Sequence, residues 1–212
     1  VWRMTAAQGL SMTVMNVNII NTGLAGAVLA PELWLATLPL SLQFLAVMFA
    51  TLPASLLMGR FGRRPVFLSG VFISVLATFT QTAAIMTSQF SLFVLGSMLL
   101  GCSHGIAQFY RYAAADGLPD HMKPKAISFV LLGGLAAAMI GPEIAYRFVE
   151  AIDGARYAGA FLVAGAVHLL AFIALLGMES PKPPRDQSQG RSLAIFISMS
   201  GFRLGLISAA LG

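Results

Sequence analysis

Residues 34–58 read WLATLPLSLQFLAVMFATLPASLLM, residues 59–65 read GRFGRRP, and residues 66–87 read VFLSGVFISVLATFTQTAAIMT. Two uncharged apolar runs flank a turn holding three arginines. A bilayer core about 30 Å thick is crossed by a helix of about 20 residues. Each run meets that length, and each is apolar on every side, as a helix in lipid must be.

Working outward, the same pattern recurs. Segments of that length lie at 5–29, 34–58, 66–87, 91–113, 126–148 and 157–177, and a further one begins near 193. Of 212 residues, 58% are hydrophobic and 10% charged, against about 25% charged in a typical soluble domain. So few charges cannot cover a soluble surface, so the apolar runs face lipid. Barrel strands are shorter and alternate polar with apolar. The fold class is therefore all-α and polytopic: a six-span bundle over 1–177, a polar connection over 178–192 and a truncated second bundle over 193–212. The connection carries Pro181, Pro183 and Pro184 among charges, the composition of an extended linker. The first segment is too long for a signal-peptide core and contains Asn16, Asn18 and Asn21, so no cleavable leader is expected.

Charge sets the expected orientation. With the N-terminus inside, Arg3, Arg60, Arg63, Arg64, Arg111, Lys123, Lys125, Lys182, Arg185 and Arg191 fall on the cytoplasmic side, and only Arg147 and Arg156 fall outside. That asymmetry obeys the positive-inside rule. It also explains the net charge of +5 without nucleic acid.

Polar residues within spans are costly and ask for a reason. Ser97, Gly101, His104, Gln108 and Arg111 share one helical face of the fourth segment. Cavity lining and interhelical bonding are both open for His104, and Arg111 can equally snorkel to the surface. Asn18 and Asn21 are read as cavity lining, and Asn16 as a hydrogen bond between helices. Glu143 stands one turn before Arg147, as a surface ion pair or a proton-coupling carboxylate. His168 is read as a packed neutral side chain and Cys102 as plain packing. Gly133, Ala137 and Gly141, like Ser97, Gly101 and Gly105, recur every four residues, the spacing of closely packed membrane helices.

The turn Gly59-Arg60-Phe61-Gly62-Arg63-Arg64 resembles the signature loop of the major facilitator superfamily, Gly-x-x-x-Asp-Arg-x-Gly-Arg-Arg between spans two and three. Arg60, Gly62, Arg63 and Arg64 match it. Ser55 stands at the first glycine and Gly59 at the aspartate, and Ser97 stands near the arginine often found early in span four. Gly141-Pro142 resembles a Gly-Pro motif late in span five. The run Gln108 to Asp116 is similar to a bacterial subgroup of these permeases. The resemblance implies the N-terminal half of a secondary transporter in a bacterial inner membrane. A second six-helix half would complete it, and it would carry a small solute by alternating access, with proton coupling open at His104 and Glu143. The alternative is a transport-inactive scaffold or assembly factor on the same fold. No Gly-rich nucleotide loop, paired metal ligands or His-Glu-x-x-His appears, and no lysine lies in a span, so neither enzyme chemistry nor a cofactor is expected. The partners expected are lipid, solute and the second half.

Overall fold

The computed structural model describes residues 1–116 and 118–178. Residues 179–192 of the expected linker and the segment from 193 lie outside the described residues. The described chain is helical: α1 Trp2–Leu29, α2 Leu38–Phe61, α3 Arg63–Met86, α4 Phe90–Ala107, α5 Tyr110–Ala113, α6 Lys123–Arg147 and α7 Ala158–Leu176. Six spans are long and apolar enough to cross a membrane, with α4 and α5 together making the fourth.

The helix ends follow from local chemistry. Pro39 and Pro124 sit in the first turns of α2 and α6, where a missing N–H costs nothing. Gly62, at φ 87°, ends α2 and starts α3 in one residue. Only glycine enters that left-handed region freely, so the basic turn has no slack. The fourth segment is expected as one run to residue 113, but α4 stops at Ala107 and the chain resumes as the single turn α5.

Packing arranges α1 against α6 and α7, α4 against α2 and α3, and α3 against α7. Small residues set the approach. A side chain at Gly133 would run into the Thr5 carbonyl oxygen of α1, and one at Gly141 would lie 2.6 Å from Asn16 Cβ. On the other side, a side chain at Gly101 would meet the Gln43 carbonyl, and one at Gly105 would lie 2.9 Å from the Val47 carbonyl oxygen. Dispersion between close backbones drives such contacts, because lipid offers no hydrophobic force between helices. Large apolar side chains stay exposed along α2 (Phe44, Met48, Phe49, Leu52) and α6 (Leu131, Leu132, Leu135, Met139).

Candidate solute path

The basic end is closed by arginines. Arg63 forks onto Asp116, with Nη2 donating to Oδ1 and Nε to Oδ2, each at 2.9 Å. Arg64 Nη2 donates to the Leu176 carbonyl at 2.7 Å, in the last turn of α7, where unpaired carbonyls and the helix dipole favour a cation. Arg3 lies against Gly177 beside it. Gly62 makes this clasp feasible, since it aims the first turn of α3 at both α7 and the connection after α5. Arg60 and Gly59 are exposed. Burial raises the Asp116 carboxyl above its ordinary range, outweighing the Arg63 and Lys123 charges that pull it down.

Polar side chains run through the interior of the bundle. Asn18 Nδ2 donates to Gln81 Oε1 at 3.0 Å, and Gln81 Nε2 donates to Ser97 Oγ at 3.0 Å. Thr22 Oγ1 donates to Asn18 Oδ1 at 2.9 Å, and Ser97 Oγ to the Phe93 carbonyl at 3.0 Å. Asn18, Gln81 and Ser97 are fully buried. Toward the basic end come Ser74 and His168, 2.7 Å apart through Ser74 Oγ and His168 Nδ1. Ser11 lies beside both His104 and Tyr110. His104 is 3% exposed. Among the described residues, neither of its ring nitrogens has a hydrogen-bond partner, nor has either amide atom of the fully buried Gln43 or Oε1 of Gln8. Buried polar groups of this kind are ordinarily met by ordered water or ligand.

The residues named from sequence therefore divide. Asn18, Asn21, Ser97 and His104 are enclosed by the six-span bundle, whereas Gln108 and Arg111 are half-buried at its basic end. There Arg111 Nη2 donates to Gln108 Oε1 at 3.0 Å, and the Arg111 guanidinium lies 5.3 Å from the Tyr112 ring centroid. Glu143 pairs with Arg147 on the exposed flank of α6, apart from this interior set. Asn16 Nδ2 donates across to the Ala137 carbonyl at 3.1 Å. Gly133, Ala137 and Gly141 face α1, and Pro142 is exposed beyond them. Sequence reasoning missed Gln43, Ser74 and Gln81. Gln43 is a polar residue in a largely apolar span, and Ser74, Thr78 and Gln81 recur at helical spacing along α3, which are the signals that could have found them.

At the end opposite the arginines, a cavity of about 600 Å³ opens between α1, α6 and the connection to α7. Asn21 lines it, together with Ile20, Leu24, Tyr146, Arg156 and Tyr157. Asn21 Nδ2 donates to the carbonyls of Val17 at 3.1 Å and Ala145 at 3.4 Å. Its Oδ1 has no partner among the described residues.

The family model described as Major Facilitator Superfamily matches residues 4–211. The chain is 36% identical over 183 residues to the riboflavin transporter RfnT of Brucella anthropi, a match covering 86% of this chain and 46% of that protein. It is 28% identical over 142 residues to the uncharacterized MFS-type transporter YddS of Bacillus subtilis, covering 64% of this chain and 33% of that protein. The chain thus spans half or less of the length of the curated relatives it matches. With the family model running through all six spans, the chain belongs to the major facilitator superfamily.

Proposed function

We propose that the protein of which this chain is part carries a small solute across a bacterial inner membrane by alternating access, and that the solute is a flavin. The observation that carries this reading is the 36% identity to a riboflavin transporter over 183 residues. The polar interior supports it, since a bundle needing only to hold itself together would not leave the His104 ring nitrogens, the Gln43 amide and Gln8 Oε1 without partners among the described residues.

In this reading the N-terminus and the arginine clasp are cytoplasmic, as the positive-inside rule demands. The solute enters at the cavity beside Asn21 and leaves near Gln108 and Arg111. Asn18, Ser97 and His104 keep the wall between those two ends polar. The exposed apolar faces of α2 and α6 pack on a second six-helix half, and rocking of the halves exposes the path alternately to each side. His104 takes and releases the coupling proton. Its ring nitrogens have no hydrogen-bond partner among the described residues, and Glu143 is the second candidate group, held by Arg147 at the opposite end.

The test is flux. Full-length protein reconstituted in vesicles should take up riboflavin saturably, above empty vesicles. His104→Gln should abolish stimulation by a pH gradient while leaving counterflow exchange. No saturable flavin flux refutes the flavin assignment. Gradient-driven uptake that survives His104→Gln and fails in Glu143→Gln moves the coupling to Glu143.

A further inference from the structure

We infer that the seam between α3 and α7 holds an anionic phospholipid, with its phosphate on Arg3 and Arg64 and an acyl chain along the groove beside Phe72 and Ile173. The inference concerns the bilayer rather than the solute, and it is independent of which solute the protein carries.

Two arginines from different helices end on neighbouring residues of α7. Arg64, in the first turn of α3, donates Nη2 to the Leu176 carbonyl at 2.7 Å. Arg3, in the first turn of α1, lies so close to Gly177 that a Cβ there would run into its Nη1. Both side chains are exposed. Among the described residues neither has a carboxylate within ion-pair distance, whereas Arg63 is taken by Asp116. The negative end of α7 offsets roughly half a charge, and the positive end of α3 returns about as much. Two guanidiniums thus stand side by side where the spans end, at the depth of lipid headgroups. A phosphate accepts from several guanidinium N–H groups at once, and it relieves the repulsion between them.

Helix register sets the groove that leads away from them. α3 and α7 run antiparallel, with Thr78 against Gly165 and Ser74 against His168. Phe79 Cε2 lies 3.9 Å from where a Cβ on Gly165 would stand, so Phe79 marks the edge of α3 at the seam. Phe72 precedes it on the same stripe, nearer the arginines. On α7, Leu169 and Ile173 follow Gly165 by one and two turns, toward the same end. All four side chains are exposed, Phe72 at 64% and Ile173 at 65%. They make an apolar track running from the two guanidiniums toward the middle of the bundle. A soluble anion would meet the arginines and leave the track unused. A phospholipid carries both chemistries in the order in which the seam presents them, and juxtamembrane cations favour the lipid that bears a net negative charge.

The test varies the lipid as well as the protein. Native mass spectrometry of full-length protein, titrated with phosphatidylglycerol or with phosphatidylcholine, measures the affinity for the first lipid bound. Each basic side chain at a membrane surface gives about a fivefold gain for an anionic lipid, so wild type should hold phosphatidylglycerol roughly 10- to 30-fold more tightly. Arg3→Gln combined with Arg64→Gln should reduce that preference to about twofold or less. Arg60→Gln removes one charge from the same basic end, at an exposed residue bonded to neither arginine, and should leave the preference unchanged. Inorganic phosphate should not displace the lipid. Equal binding of both lipids by wild type overturns the inference without any variant. So does a loss in Arg60→Gln as large as in the double variant, because the preference then belongs to surface charge in general. Displacement by inorganic phosphate replaces the lipid with a soluble anion and also overturns it. If a preference emerges only in Glu179→Gln, a carboxylate of the chain itself occupies the arginines, and the inference fails.

Discussion

Replacing Gln81 by leucine tests whether the interior hydrogen bonds hold the bundle together. Gln81 bridges Asn18 of α1 and Ser97 of α4 from its place on α3. Without it, Ser97 Oγ keeps the Phe93 carbonyl and Asn18 Oδ1 keeps the Thr22 hydroxyl. The net loss is one donor, Asn18 Nδ2, left unpaired at a fully buried site. In water-soluble proteins that costs about 1–3 kcal/mol. Interhelical bonds in membranes average about 0.6 kcal/mol and reach about 1.7, because the unfolded chain in lipid also finds partners. Full burial places this donor toward the upper part of the membrane range, at about 1–1.5 kcal/mol. Asn18→Leu should cost a similar amount by stranding Gln81 Oε1. The double variant leaves neither group unpaired, and it should be destabilised by less than the sum of the singles, by about 1 kcal/mol. Equilibrium unfolding of full-length protein in mixed micelles measures all three. Strict additivity would refute the view that these side chains act as a pair.

Gly133→Val should separate α1 from α6, because the new side chain meets the Thr5 carbonyl. Thermal unfolding should show a loss of about 1–3 kcal/mol, while Gly134→Ala, with Met12 Cγ 3.9 Å away, should be silent. His168→Leu should be tolerated within about 1 kcal/mol, since the Ser74 hydroxyl can turn to a carbonyl of its own helix; a larger loss gives His168 a role beyond packing. Because burial raises the Asp116 carboxyl, the folded state binds that proton more readily than the unfolded chain. Its contribution to stability is then greatest at low pH and falls as pH rises through the folded pKa. Asp116→Asn should flatten that slope, which lies above the ordinary carboxylate range, and shift neutral stability by less than about 1 kcal/mol, as for exposed ion pairs. In a Cys102→Ala background, cysteines placed at Asp120 and Asp153 should react from opposite sides of the membrane; labelling from one side refutes the proposed topology.

Span number and approximate span limits were legible because lipid imposes them: a run like 66–87 can do little else than cross. The reversal at Gly62 was legible from its glycine, but the starts of α2 at Leu38 and α6 at Lys123 were not, the expected spans beginning at 34 and 126, and the break at Ala107 carries no proline or glycine to mark it. The polar stripe of α4 could be read, but not its partners. Ser97 and His104 look alike in periodicity, yet Ser97 is tied to Gln81, and the His104 ring nitrogens have no side-chain partner among the described residues. Which neighbour a face meets depends on the order of helices around the bundle, and a single apolar run does not encode that order. Gln43 and Gln81 were passed over for the same reason, since neither shows in sequence which helix it meets.

The order of synthesis gives the interior network a second meaning. Asn18, Thr22, Gln81 and Ser97 all lie on α1, α3 and α4. A nascent chain released into the bilayer as far as α4 can already close these bonds, long before α7 has been made. Asn16 and Asn21 are different, because their cross-helix acceptors, the carbonyls of Ala137 and Ala145, belong to α6. Until that helix arrives, two amides on α1 face the membrane interior without their partners. The first four spans can therefore close the Asn18–Gln81–Ser97 network by themselves, while α1 keeps a polar seam at Asn16 and Asn21 to which the fifth span is drawn.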